Sequence, residues 1–381
     1  MQVVSFGVAA LYSGIWWLRW ARGGGLERIS GQLRVFCGMV CAGSVAGAVA
    51  WGAQMQSKFF YYGAFAPGAT RQRYYTSYSS ANRLFAVFVV LYGFEFLCLI
   101  IAKLTLLRLL ADSATQSSQA DVTGMSGVRR RWVSAWALPN VNRVMAGAVV
   151  VGSVVGVVAN AVAGAYFAQW AGLDDQAAAA CDASGSDTAL SLAFFNASVS
   201  VHTKANTAIS VQAGSEALSL LLVSFAYVVI VSLSAAHFRT VERHAARALL
   251  LSADSSNVQQ AELNAARIVV DTMQAAAQHR RRLTAACVIV LVTFPARAAF
   301  DLLDAYAVFN APENLACGIC DPCQSEEWLI RLWIDYTPEF QAIVVAVSSP
   351  LPLTLSLWLM TKAEAQLRSI AVSLQQMSEG P

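Results

Sequence analysis

Charge is scarce in this chain: Asp, Glu, Lys and Arg together make up 13% of 381 residues, against 57% hydrophobic. Soluble domains carry about twice that share of charge, so a water-soluble multi-domain protein is excluded and lipid is the dominant solvent. Histidine is scarcer still, with four residues, and there is no H-E-x-x-H, no G-x-S-x-G and no phosphate-binding glycine loop. Metal, nucleophilic and nucleotide chemistry therefore lack their usual residues, and the chain reads as non-enzymatic, without cofactor or metal. No lysine lies in the apolar stretch 338–360, which excludes a retinal Schiff base there. No basic residue precedes the first apolar run either; Arg19 and Arg22 follow it. That run reads as an uncleaved first helix and not as a secretory leader.

Seven apolar segments remain, each close to the roughly 20 residues a bilayer core requires: 3–20, 35–53, 84–106, 144–170, 216–236, 283–309 and 338–360. The expected fold is all-α, a seven-transmembrane bundle spanning 1–360, followed by an amphipathic tail at 361–381. Placing the N-terminus outside puts 18 of the 26 Lys and Arg residues on the cytoplasmic side, which supports N-out and C-in. The sequon Asn196-Ala197-Ser198 then falls in an outer loop, as a glycosylation site requires. Cys181, Cys317, Cys320 and Cys323 fall outside too, where thiols oxidise, so two disulfides are expected over a metal site.

One span carries unusual cargo. Thr293, Arg297, Asp301 and Asp304 lie at i, i+4, i+8 and i+11 and form one polar stripe on a helix. A charge at the bilayer centre costs at least about 2.5 to 3.5 kcal/mol, so the stripe should face the bundle interior and find partners there. Glu95, near the middle of the third span, is one partner for Arg297; Asp301, one turn away, is the other. Lys103 is expected to snorkel to the cytoplasmic headgroups. Pro295 in the sixth span, with Pro350 and Pro352 in the seventh, removes backbone donors and marks hinges.

The connections carry their own patterns. The aromatic loop 54–82 reads as an interfacial flap. The alternation around Ser198 to Val211 reads as a small β-hairpin lid within a long outer loop, 171–215. Arg129-Arg130-Arg131 beside Trp132 suits anionic lipid headgroups, not nucleic acid. A cytoplasmic protein partner would meet 107–143 and 237–282. Gly43-x3-Gly47 and Gly152-x3-Gly156 let helices approach closely, within the bundle or, as the alternative, in a homodimer.

The sixth span resembles the plant tobamovirus-multiplication proteins, a seven-helix family grouped with animal orphan receptor-like lysosomal proteins. The likeness lies in the Thr284 to Cys287 run, in Arg297, and in Asp304-Ala305-Tyr306, with Pro338-Glu339 at the start of the last span. It implies a non-enzymatic endomembrane or vacuolar protein that binds cytosolic partners such as small GTPases; the sequence by itself fits the plasma membrane or an endomembrane, vacuolar or lysosomal included. A receptor-like or scaffolding role is the expectation. Intramembrane acids beside a broken helix also describe an ion- or proton-coupled transporter or channel.

Overall fold

The computed structural model describes residues 2–22, 27–119, 139–252, 259–309 and 354–355. Among these residues all regular structure is helical, in six long elements. They are α1 (Gln2–Arg22), α2 (Glu27–Ala64), α3 (Arg71–Gln119), α4 (Pro139–Ala179), α5 (Ala189–Ser252) and α6 (Gln259–Phe309). Each helix packs against the next in sequence, and α3 also touches α5. Most of the seventh apolar segment, with Pro350 and Pro352, lies outside the described residues, as do Cys317, Cys320, Cys323 and the tail.

The surface is inverted relative to a soluble protein. Val4, Val8, Leu11 and Ile15 of α1, Val150, Val151, Val154 and Val158 of α4, Leu218 and Phe225 of α5, and Val288 and Val292 of α6 are exposed. Glu95, Lys103, Glu216, Arg297 and Asp301 are buried. Exposed valine and leucine on four helices around buried charge is the arrangement that lipid selects. Four stretches are long and apolar enough to cross a membrane: Gly31–Ala64, Arg71–Arg108, Val144–Ala179 and Ala189–Ser232. The chain is a multi-pass integral membrane protein, and its apolar faces contact the bilayer.

The helices outrun the spans expected of them. At about 1.5 Å per residue the 49 residues of α3 reach about 70 Å, while a bilayer core is roughly 30 Å thick. The aromatic stretch 54–82 is accordingly no flap, because α2 continues to Ala64 and α3 starts at Arg71. Nor is there a hairpin lid or a long loop at 171–215, since α4 runs to Ala179 and α5 starts at Ala189. The β-branched residues that mimic a strand there are a distraction from the buried row Val201, Ala205, Ala208, Gln212 and Glu216, whose steps of three and four residues are helical. Asn196 consequently sits on an exposed helical turn of α5 instead of a loop.

Two short turns remain, one between α2 and α3 and one between α4 and α5, and they meet. Gln72 N–H donates to the Gly185 carbonyl at 3.3 Å. Gly68 and Gly185 supply the left-handed backbone these turns need, at φ of 77° and 78°. Thr70 caps α3 by accepting from Arg73 N–H at 3.3 Å. Thr188 and Ser191 cap α5 reciprocally, each side chain accepting the other's backbone N–H, at 2.8 and 3.1 Å.

Small residues set the helix spacing. A Cβ on Gly47 would lie 2.6 Å from the Phe6 ring of α1, and one on Gly43 would lie 3.0 Å from Cβ of Cys98 on α3. Gly152 and Gly156 face Ser219 and Ser215 of α5, at 2.8 and 2.7 Å. Both glycine motifs are therefore occupied by packing within this chain.

Candidate functional site

Among the described residues two large apolar cores stack along the bundle, with a small third cluster of Tyr75, Ala177 and Ala178 at the turns. One contains Phe36, Val40, Phe96, Leu99, Leu220, Tyr227 and Phe294; the other contains Phe6, Trp51, Phe88, Phe167, Trp170 and Val201, toward the two turns. The buried charges lie at the boundary between them. Three helices deliver them: Tyr92 and Glu95 from α3, Gln212 and Glu216 from α5, Arg297 and Asp301 from α6. On each helix the two residues are three or four apart, so they share a face.

Arg297 is the hub, at 4% exposure. Its Nε lies 3.0 Å from Asp301 Oδ1 and its Nη2 lies 3.5 Å from Glu216 Oε1. Nη2 also donates to the Tyr92 hydroxyl, and the guanidinium carbon sits 5.7 Å from the centres of the Tyr92 and Phe300 rings. Glu216 is well supplied: its Oε2 accepts from Tyr92 Oη and from Gln212 Nε2, both at 2.7 Å. A fixed fork of donors on Arg297 thus ties α3, α5 and α6 together at a buried position. Ser210 Oγ donates to the Ala305 carbonyl at 3.2 Å, adding a second α5 to α6 tie toward the turn end.

Of the two partners expected for Arg297, the structure selects Asp301. Glu95 makes no ion pair with it; its Oε2 has no hydrogen-bond partner among the described residues, and its carboxyl carbon would be 2.9 Å from a Cβ on Gly47 of α2. Thr293 is buried but turns back on its own helix, donating to the Ile289 carbonyl at 2.8 Å. Asp304 is half-buried one turn beyond Asp301, on the same stripe. α6 passes Pro295 without a break in the helix. Lys103 does not reach the headgroups: it is buried, with Nζ 4.5 Å from the centre of the Phe294 ring. A cation over an aromatic face replaces part of the hydration it gives up.

Tyr92, Gln212 and Glu216 escaped the sequence reading. The signal was present, since Gln212, Glu216 and Ser219 lie at i, i+4 and i+7, but it shows only once 198–215 is read as helix. A column of rings runs from the turns down to this site. Tyr78 meets Trp170 at 5.6 Å, Trp170 meets Phe167 at 5.8 Å, Phe167 meets Phe85 at 4.7 Å, Phe85 meets Phe88 at 5.4 Å, and Phe88 meets Tyr92 at 5.7 Å. Offset and edge-on rings at such distances are favourable and stiff.

A second polar group sits at the turns. Tyr75 Oη donates to Asp187 Oδ1 at 2.7 Å, and Arg71 Nε lies 3.3 Å from Asp187 Oδ2. Arg83 pairs with Asp175, and Asn82 donates to Asp174 Oδ2 at 3.0 Å. In the turn itself, hydrogen bonds from Ser184 Oγ at 2.6 Å and Ser186 N–H at 2.8 Å hold the Asp182 carboxyl below its ordinary range. Cys181 forms no bridge to any described residue. The described residues hold no cluster of three or more His, Cys, Asp or Glu side chains suited to a metal ion. No protein-family model, curated protein or solved structure matches the chain.

Proposed function

We propose that this is a receptor-like or scaffolding membrane protein without enzymatic activity, switched between two bundle arrangements by the cluster around Arg297. The observation that carries this reading is the fork of contacts from one guanidinium to Tyr92, Glu216 and Asp301 on three helices. Such a hub has discrete partners, and exchanging one for another moves whole helices. Arg297 Nη1 has no hydrogen-bond partner among the described residues, so the hub holds a donor in reserve. Pro295, two residues away, leaves the Leu291 carbonyl without its helical donor and softens α6 at that level.

The rest of the reading follows the sequence. Seven spans with the N-terminus outside would put the far ends of α5 and α6 in the cytoplasm, where α5 runs on to Ser252 and α6 begins at Gln259. A cytosolic protein would bind there and at 107–143. Kinship with the tobamovirus-multiplication family fits such a role, as does residence in the plasma membrane or an endomembrane. The test is the distance between spin labels at exposed Ser232 of α5 and Ala285 of α6, in lipid nanodiscs. Arg297→Ala should change or broaden that distance relative to the parent. An unchanged, equally narrow distance would remove the switch.

A second reading, an ion- or proton-coupled transporter or channel, draws on the three buried carboxylates at one level of the bundle, Glu95, Glu216 and Asp301. A proton- or cation-dependent flux in liposomes, lost in Asp301→Asn, would favour it over the first.

A further inference from the structure

We propose that Glu95 is a proton-binding site, and that releasing its proton recruits Arg297. The inference deepens the switch reading above and rests on it for its consequence, though the site itself stands on separate observations. The first is a count of charge. Among the described residues, the groups buried here are Glu95, Glu216 and Asp301 against Arg297 and Lys103. Fully ionised they carry one excess negative charge in a region that lipid surrounds, and such an excess is expensive to keep.

The second observation identifies the group that takes the proton. Glu216 accepts two hydrogen bonds on one oxygen and faces Arg297 with the other. Asp301 has one bare oxygen, Oδ2, but its Oδ1 is 3.0 Å from Arg297 Nε. Both are therefore served as carboxylates. Glu95 is 2% exposed, makes no ion pair among the described residues, and keeps a bare Oε2. Every described element around it is accounted for. α2 offers Gly47 and α1 offers Phe6, neither of which carries charge. α5 brings Glu216; α6 brings Arg297 and Asp301, with Asp304 one turn on; α3 itself brings Tyr92 and the buried thiol of Cys98 one turn away on either side and Lys103 two turns away. A carboxylic acid is the form that suits a buried carboxyl packed against glycine and phenylalanine.

The third observation is the unused donor. Arg297 Nη1 is buried without a hydrogen-bond partner among the described residues, Nε faces Asp301 Oδ1 at 3.0 Å as an ion pair without an aligned hydrogen bond, and Tyr92, on the same face of α3 as Glu95, already touches Nη2 of that guanidinium. When the O–H bond of Glu95 breaks, the proton passes to solvent water and the electron pair stays on the carboxylate. The new anion then competes with Asp301 and Glu216 for Arg297, and α3 gains what α5 and α6 lose.

The test is infrared spectroscopy of the full chain in nanodiscs. The parent should show the carbonyl stretch of a protonated carboxylic acid at neutral pH, lost on raising the pH. Glu95→Gln should abolish the band while Asp301→Asn keeps it; if Glu95→Gln does not fold, Glu95→Asp should shift the band. Absence of the band in the parent, its survival in Glu95→Gln, its failure to move in Glu95→Asp, or its loss with added sodium at fixed pH would each overturn the site. If the band behaves as expected while the Ser232 to Ala285 distance ignores both pH and Arg297→Ala, the site stands and the switch falls. If the distance responds to Arg297→Ala with no band, the reverse holds.

Discussion

Among the described residues two groups of arginine and aspartate stand out, and they differ in almost everything but chemistry. At the turns, Arg71 and Arg83 pair with Asp187 and Asp175 with their side chains 60% and 64% exposed. Between the two apolar cores, Arg297 pairs with Asp301 and Glu216 with every side chain 5% exposed. Water screens the first group, and each such pair contributes at most about 1 kcal/mol. Nothing screens the second, where the cost of burying the ions is met only if the partners stay in place. The turn pairs decorate helices that packing already holds. The inner pairs decide whether three helices can meet at all.

The sharpest way to break this comparison is to remove one cation from each group. Arg297→Ala leaves Glu216 and Asp301 buried without their cation and should cost about 3 to 5 kcal/mol, seen as a large fall in the thermal midpoint of the full chain in nanodiscs. If it costs no more than Arg83→Ala, the inner group is ornamental. A smaller effect is expected where the inner group meets its packing. Gly47→Ala places a methyl against the Phe6 ring and the Glu95 carboxyl and should cost about 1 to 3 kcal/mol. Gly52→Ala, on the same helix with nothing within 4 Å, should be neutral or slightly stabilising by helix propensity. Equal midpoints for the two variants would mean that α2 yields freely at Gly47. Smallest is Arg83→Ala, expected to shift the midpoint by less than about 1 kcal/mol, with the shift fading as salt rises. A loss that persists in high salt would show that the turn pair is not screened.

Membrane character and the polar stripe of α6 were legible because both follow from strong, local rules. Apolar runs of about 20 residues have few alternatives, and Arg297 with Asp301 at one helical turn is a pair on any α-helix. Helix ends were not legible, for an equally physical reason. Hydropathy reports where lipid begins and is silent on a helix that continues beyond the length of a bilayer core, as α2, α3 and α5 do with 38, 49 and 64 residues. The stretch 198–211 mimics a strand through the alternation of Val199, Val201, Ile209 and Val211, whereas the residues that pack, Val201, Ala205 and Ala208, step by four and three. That mimicry concealed Glu216, and with Glu216 went the true third corner of the site. Lys103 was misjudged because snorkelling assumes a lipid-facing side chain, whereas Phe294 meets this one inside the bundle.

Glu95 is the midpoint of α3, with 24 residues of helix on either side of it. A stiff rod pivoted at its centre works as a lever with equal arms, so a tilt at that one residue is delivered to both ends of the helix alike. With arms of about 36 Å, a rotation of about 5° displaces each tip by about 3 Å, the scale on which a docking surface is made or spoiled.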